Sequence, residues 1–386
     1  MAQRVVVTGL GVVSALGNRT EEFWGNLTSG KSGINKITFF DTSRLQKKYG
    51  SQINFQPSDF PAAAEISGLP RTHQFAIAAS DRALSDSGIK EFSEAGVVFG
   101  SITGGAEFIE GGHKDFSKYP IHSITSSLCK IYKLGKSAFT LSNACATGNY
   151  AIALAYERIK HGSEKIMLAG AADFLSLGNF LGLYRLFSIA PYKCRPFDKN
   201  RKGLLPAEGA GILILESLAS AKKRGAYIYA EIIGYGISED ATSLLIPSLD
   251  GIYYCMENAL DTSGIESKDV SYINAHGTGT VANDKTECGA IKKLFGAKRY
   301  KKIPVSSIKS MLGHTMAASS SIEAIACCLS LTTGIIPPTI NYETPDPECD
   351  IDCVPNEARK QKTKIIMNNS FGFGGMNCSV VFRSYE

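Results

Sequence analysis

The sequence predicts an α/β fold, and three observations carry that prediction. Short apolar runs of strand length alternate with longer runs of helical periodicity along the whole chain. The first two candidate helices stop at glycines, Gly88 and Gly162. No low-complexity tract or short-period repeat interrupts the alternation.

Taken in order, strand-like runs fall at residues 4–8, 97–99, 165–169, 211–215, 228–233 and 379–382. Helical patterns span 75–87, 149–161, 252–263, 285–295 and 320–333. Two strands in succession between 212 and 233 break the strict alternation. The charged run Ala221-Lys222-Lys223-Arg224-Gly225 reads as a seam, after which a long strand over 227–235 restarts the pattern. The expected halves are therefore 1–225 and 226–386. A surface turn is expected at 360–364, before a last core strand starting at Ile365. At 386 residues the chain is long for one hydrophobic core and suits two packed halves.

Composition narrows the function. Apolar residues make up 44% and charged residues 20%, ordinary for a soluble protein. No run reaches the roughly 20 apolar residues of a membrane span, and 322–331 carries Glu323 and Ser330. No signal-peptide pattern precedes the first strand, so a cytoplasmic location is expected. The formal charge is +5, and the lysine cluster at 298–302 does not extend into a nucleic-acid stripe. Such a bias suits an acidic protein partner. None of the ten cysteines forms a CxxC pair. Cys349 and Cys353 flank Asp350-Ile351-Asp352 with no second pair nearby, so no metal site is expected.

Four segments carry chemistry. In the first, an apolar run ends in Asn143-Ala144-Cys145-Ala146-Thr147-Gly148, where a helix begins. Small neighbours permit a tight strand-to-helix turn that projects one side chain. A helix N-terminus there favours thiolate over thiol. A buried structural cysteine fits this segment as well. In the second, a strand runs into His276-Gly277-Thr278-Gly279-Thr280, where the hydroxyls can meet a polar ligand arm. A satisfied structural histidine fits too. In the third, residues 305–315 hold Lys309 and His314 ahead of a helix bearing Glu323 on an apolar face. A buried carboxylate needs a partner, and Lys309 is the candidate for a structural ion pair. In the fourth, Ser370-Phe371-Gly372-Phe373-Gly374-Gly375-Met376 is a glycine-rich loop able to supply a backbone N–H and a bulky gate.

Together these four segments resemble the β-ketoacyl-acyl-carrier-protein synthases of the chain-elongating type. The resemblance runs from Arg4 to the C-terminal strand. It includes Cys194-Arg195-Pro196-Phe197-Asp198, Glu208-Gly209-Ala210-Gly211 and Pro337-Pro338-Thr339-Ile340-Asn341. It implies the thiolase fold, two related α/β halves in a five-layer αβαβα sandwich, usually dimeric. It implies that Cys145 takes the acyl group from a carrier-protein thioester, with its own N–H and that of Phe373 as oxyanion hole. His276 and His314 resemble the pair that promotes malonyl decarboxylation. Lys309 and Glu323 match the supporting ion pair, and Phe371 and Phe373 the gate. Thr278 and Thr280 match contacts to the pantetheine arm, Thr103 lies near the acyl pocket, and Arg71 and Arg185 lie near the docking face for an acidic carrier protein. No cofactor or metal is implied beyond the 4'-phosphopantetheine that carries the substrates.

Three departures bear on substrate. Thr242-Ser243-Leu244-Leu245-Ile246 stands where elongating synthases often have a histidine. Arg201-Lys202-Gly203-Leu204 replaces the usual Arg-Asp-Gly-Phe, and Met376 a usual threonine. These leave the pathway open between fatty-acid, polyketide and polyene chains. A thiolase or an initiating synthase acting on acyl-CoA would share the fold, but typically pairs the cysteine with a His and an Asn, or with a second Cys. A chain-length-factor-like subunit would lack the cysteine, yet remains a candidate heterodimer partner beside a homodimer.

Overall fold

The structure, a computed structural model, describes residues 2–112 and 116–385. Its first half contains β1 (Val5–Val13), α1 (Arg71–Ser87), β2 (Ala95–Gly100), α2 (His122–Tyr132), β3 (Ala138–Leu141), α3 (Thr147–Lys160), β4 (Ile166–Asp173) and β5 (Gly209–Ser217). The second half repeats that order with β6 (Ala230–Glu239), α4 (Leu249–Ser263), β7 (Tyr272–Asn274), α5 (Val281–Phe295), β8 (Val305–Ser306), α6 (Ser319–Thr333), β9 (Ile365–Phe371) and β10 (Met376–Arg383).

Both halves build the same sheet. The first runs β3-β2-β4-β5-β1 and the second β8-β7-β9-β10-β6. In each, the first three strands are mutually parallel and the last two join antiparallel. The sheets meet edge to edge where Val5–Val7 pair with Ala230–Ile232. The seam near residue 225 therefore separates two topological copies whose sheets are hydrogen-bonded to each other.

Helices supply the remaining layers. α1 packs on the outer face of the first sheet and α4 on that of the second. Between the sheets lie α3 and α6, in contact with one another and with strands of both halves. This is the five-layer αβαβα arrangement of the thiolase fold. Three apolar cores follow from it: one among α3, α6 and the inner sheet faces, and one under each outer layer. α6 shows how the sequence encodes its place. Residues Met316–Thr333 are long and apolar enough to cross a membrane, yet 89% of that stretch is buried inside the fold. A helix apolar on all sides needs apolar walls on all sides, and here two sheets provide them.

Some boundaries differ from the sequence reading. The strand expected over 227–235 starts at Ala230 and runs to Glu239. Exposed Tyr227 and half-buried Tyr229 instead pair their rings edge to face, with centroids 4.8 Å apart. The glycine-rich loop joins β9 and β10, the two strands expected from Ile365 and over 379–382. α2 and the helix Leu177–Arg185 fall outside the runs read as helical in the sequence.

Each half also places a tight turn before its central helix. Ala144–Ala146 is a 3₁₀ turn with Ala144 at φ +46°, leading into α3. Met316–Ala318 is a 3₁₀ turn with Met316 at φ +51°, leading into α6. The helix starts cross closely. A Cβ on Gly148 would stand 2.6 Å from the Ser321 nitrogen, so only glycine fits there.

Candidate active site

Cys145 sits in the first of those turns. Thr147 pins it: its hydroxyl accepts from the Asn143 N–H (2.8 Å) and donates to the Ala144 oxygen (2.6 Å). Ser370 and Ser320 donate to the Cys145 oxygen at 2.9 and 3.4 Å, tying the turn to the second half. The sulfur faces a mainly apolar cavity of about 220 Å³, lined also by His276, His314, Phe371 and Phe373.

His276 and His314 arrive from the second half. The Cys145 sulfur and one nitrogen of each imidazole lie within 4.8 Å of one another. The rings stand edge to face with centroids 5.5 Å apart. His314 Nδ1 accepts from the Met316 N–H at 3.0 Å, which leaves its proton on Nε2. Lys309 fixes the other ring. Its ammonium has three donors, and they meet the His276 oxygen (2.6 Å), His276 Nδ1 (3.3 Å) and Glu323. His276 Nδ1 is therefore the acceptor, and its Nε2 carries the proton. Burial, then Lys309, holds both imidazoles well below the usual histidine range, so both are neutral. The site presents two neutral N–H donors beside one sulfur. Cys-His-His is also a zinc donor set, but imidazoles in these tautomers offer N–H groups, not lone pairs.

The loop carrying His276 is held by residues that the sequence reading missed. Both oxygens of buried Glu287 accept backbone N–H groups, from His276 (2.9 Å) and Gly277 (2.8 Å). Asp284, one turn earlier on α5, accepts from the Gly279 N–H at 3.1 Å. Two acids three residues apart on a helix otherwise burying Cys288 and Ile291 were the available signal. Asp173 plays the matching part in the first half. It accepts from the Ser101 and Thr103 hydroxyls and N–H groups of residues 102 and 103, while its other oxygen takes the Ala317 N–H.

Three expectations need correction. The turn does not favour thiolate: burial pushes the Cys145 thiol up to about 11, although Lys309 and the Phe373 N–H pull the other way. A single helix end does not repay the desolvation of a thiolate in an apolar cavity. Thr103 spends its hydroxyl on Asp173 and does not line the cavity; Ile102 does. Arg71 is not a free docking group. It makes a two-pronged ion pair with fully buried Glu208 at 2.6 and 2.9 Å, donates to the Ile53 oxygen, and stacks between Phe39 and Phe75. Thr278 and Thr280 do line the cavity; their hydroxyls are bonded to each other at 2.9 Å, and Thr280 also caps α5. Arg185 is exposed at the end of its helix.

The Phe373 N–H points at the sulfur, from a loop pressed against the turn. A Cβ on Gly372 would meet that of Ala144 at 2.9 Å. Phe371 closes the other side, its ring 6.0 Å from that of His276. Over the cavity lie Leu244, Leu245 and Ile246, anchored by a Gly374 N–H bond to the Leu244 oxygen (2.9 Å).

Comparison with known proteins agrees with this architecture. Residues 2–221 match the N-terminal domain of beta-ketoacyl synthases and residues 229–343 the C-terminal domain. The 3-oxoacyl-[acyl-carrier-protein] synthase 2 of Coxiella burnetii is 40% identical, with 98% of each chain covered. Nodulation protein E of a Rhizobium species is 35% identical over 99% of this chain and 100% of its own. Among solved structures, the ishigamide ketosynthase/chain length factor superposes with a TM-score of 0.94 at 36% identity, with both chains fully covered. A type II polyketide ketosynthase solved with its acyl-carrier protein gives 0.92 at 33%, again with full coverage. With one sulfur and two imidazoles gathered across a repeated α/β frame, this chain belongs to the beta-ketoacyl synthase family of acyl-transferring condensing enzymes.

Proposed function

We propose that the protein condenses two carrier-bound acyl groups in two stages, using Cys145, His276 and His314. In the first, the Cys145 sulfur attacks an acyl thioester. The acyl–sulfur bond to pantetheine breaks as the bond to Cys145 forms, and the thiol proton ends on the departing pantetheine sulfur. The oxyanion is met by the N–H groups of Cys145 and Phe373. In the second, malonyl thioester loses carbon dioxide. The electron pair left behind is held as an enolate by the two Nε2–H groups. Its carbon then attacks the acyl-Cys145 thioester, the acyl–sulfur bond breaks to give the 3-oxoacyl product, and the Cys145 thiolate released takes a proton from solvent.

The observation that carries this reading is the pair of neutral imidazoles. Two fixed N–H donors suit an enolate oxygen and leave no general base where carbon dioxide departs. Lys309 and Glu323 position His276, and Phe371 and Phe373 gate the cavity. An acyl carrier protein supplies both substrates on its phosphopantetheine, and no other cofactor takes part. A second copy, or a chain-length-factor-like subunit, completes the assembly in the cytoplasm. Fatty-acid and polyketide or polyene chains remain within the scope of the proposal. The test is mass spectrometry of products from malonyl-carrier protein and an acyl primer panel, with and without a candidate partner subunit. A product longer by two carbons, absent with Cys145→Ala, supports the reading. Acylation of another cysteine with Cys145 bare would sink it.

A further inference from the structure

One polar side chain on the wall of the catalytic cavity has no partner. Asn179 lies in the first turn of the helix Leu177–Arg185, half-buried, and lines the cavity together with Leu183 one turn further along. Its backbone N–H donates to the Ser176 hydroxyl at 3.1 Å, but its side-chain amide makes no hydrogen bond among the described residues. Apart from Cys145 and the two histidines, the other polar side chains of the lining are engaged. Thr278 and Thr280 are bonded to each other, Ser243 accepts from the Leu245 and Ile246 N–H groups, and Asn283 donates to Asp284.

The surroundings of that amide are apolar. Ile102, Leu183 and Leu204 belong to the same first-half wall, whereas Thr278, Thr280 and the flap over Leu244–Ile246 come from the second half. Leu183 and Leu204 pack in one cluster with Met316 and Phe373. The Phe373 N–H points at the Cys145 sulfur, and the Met316 N–H holds His314. Asn179 thus stands on a wall that reaches the reacting groups. A chain of methylenes laid along this wall strips water from the amide and returns no hydrogen bond, which is unfavourable. An oxygen at the facing carbon restores one. The amide nitrogen donates to a keto or hydroxyl oxygen, and the amide oxygen accepts from a hydroxyl.

We infer that Asn179 is a specificity residue that selects acyl chains bearing a keto or hydroxyl group over plain hydrocarbon chains. The inference rests on the condensing reading above and narrows its substrate class. That chemistry itself generates such primers. Each condensation leaves a keto group on the carbon beyond the new methylene, and each further round carries it deeper into the cavity. A product returned to Cys145 unreduced brings its ketone to the wall. One whose ketone has gone no further than the alcohol, through a hydride donor acting elsewhere, brings a hydroxyl. The reaction that supplies this enzyme therefore stops at or before carbonyl reduction, and a chain stripped of oxygen is the poorer primer.

The test follows acylation of Cys145 by intact mass. The primers are pantetheine thioesters of octanoate and of octanoates bearing a single keto or hydroxyl group at successive carbons. The wild type should take the best oxygenated chain about tenfold faster than octanoyl, the size of one hydrogen bond made against one left unmade. Asn179→Leu keeps the volume and suits a helix. It should abolish the preference, slowing the oxygenated chain about tenfold while taking octanoyl at least as fast. A wild type indifferent to oxygen at every position overturns the inference, and so does an Asn179→Leu variant that slows all primers alike. Adding malonyl thioester keeps the two readings apart. Chain extension without any preference at Cys145 counts against Asn179 alone, while selective acylation without extension counts against the condensing reading alone. Where Cys145 takes no acyl group, protection of its thiol from iodoacetamide by the free acids of the same panel reads the preference, and the same outcomes decide.

Discussion

Lys309 grips His276 at both ends of the residue, at its backbone oxygen (2.6 Å) and at ring Nδ1 (3.3 Å). With its third donor on Glu323, it turns a flexible ammonium into a fixed three-way joint that decides which imidazole nitrogen carries the proton. Lys309→Ala should slow malonyl decarboxylation about a hundredfold, the scale of a lost oxyanion donor. It should also cost about 3–5 kcal/mol of stability, because Glu323 is left buried and unpaired. The double variant Lys309→Met/Glu323→Leu separates the effects. Urea unfolding should recover while kcat stays low and KM for malonyl substrate changes little. A double variant that regains full rate would show the pair to be structural alone.

Removing an imidazole tests the donors themselves. His276→Ala and His314→Ala should each cut carbon dioxide release by about a hundredfold. Acyl transfer to Cys145, followed by intact-mass measurement, should suffer much less. Unchanged release in both variants would refute the assignment.

The raised thiol of Cys145 predicts a pH signature. With the group at about 11, the sulfur rests as a thiol near neutrality, and below that value each unit of rise in pH multiplies the thiolate by about ten. Iodoacetamide labelling of Cys145, located by peptide mass, should therefore climb about tenfold per unit from pH 7 to 9. A rate already flat above pH 7 would mean that the start of α3 outweighs burial.

Glu287 predicts another. Burial lifts its carboxyl from 4.5 to about 7 despite two backbone donors. A group that holds its proton more tightly when folded loses stability as pH rises from its unfolded value through its folded one. Between pH 5 and 8 the wild type should fall in Tm relative to Glu287→Gln. A constant Tm difference across that window would contradict the shift.

Arg71 offers a test of the correction. Arg71→Met leaves Glu208 buried without its cation and should cost about 3–5 kcal/mol in urea unfolding. KM for the carrier-bound substrate should not change in the protein that remains folded.

The three groups that meet at the cavity were legible in the sequence because each sits where a strand pattern breaks into small residues: Cys145 after β3, His276 after β7, His314 after β8. The Lys309–Glu323 pair was legible for a different reason, since a carboxylate inside an apolar helix demands a cation. The same argument would have found Glu287, but α5 mixes exposed lysines with its buried face and hides the demand. Arg71 and Thr103 were misread because a side chain's partner is a tertiary fact. Glu208 and Asp173 lie 137 and 70 residues away along the chain. Electrostatics was the least legible. A helix start is visible in sequence, but the depth of the cavity around it is not.

The two strained turns have a consequence for inheritance. The second half owns an elbow equivalent to the first, and Ala317 stands in it where Cys145 stands in the other. Its amide serves Asp173 instead of a substrate. The copies have thus become complementary rather than redundant. Pairing two first halves would assemble two sulfurs and no imidazole; pairing two second halves, four imidazoles and no nucleophile. A chain built from two copies of one half would therefore lose either the Cys145 sulfur or the His276–His314 pair, although its sheets could still join.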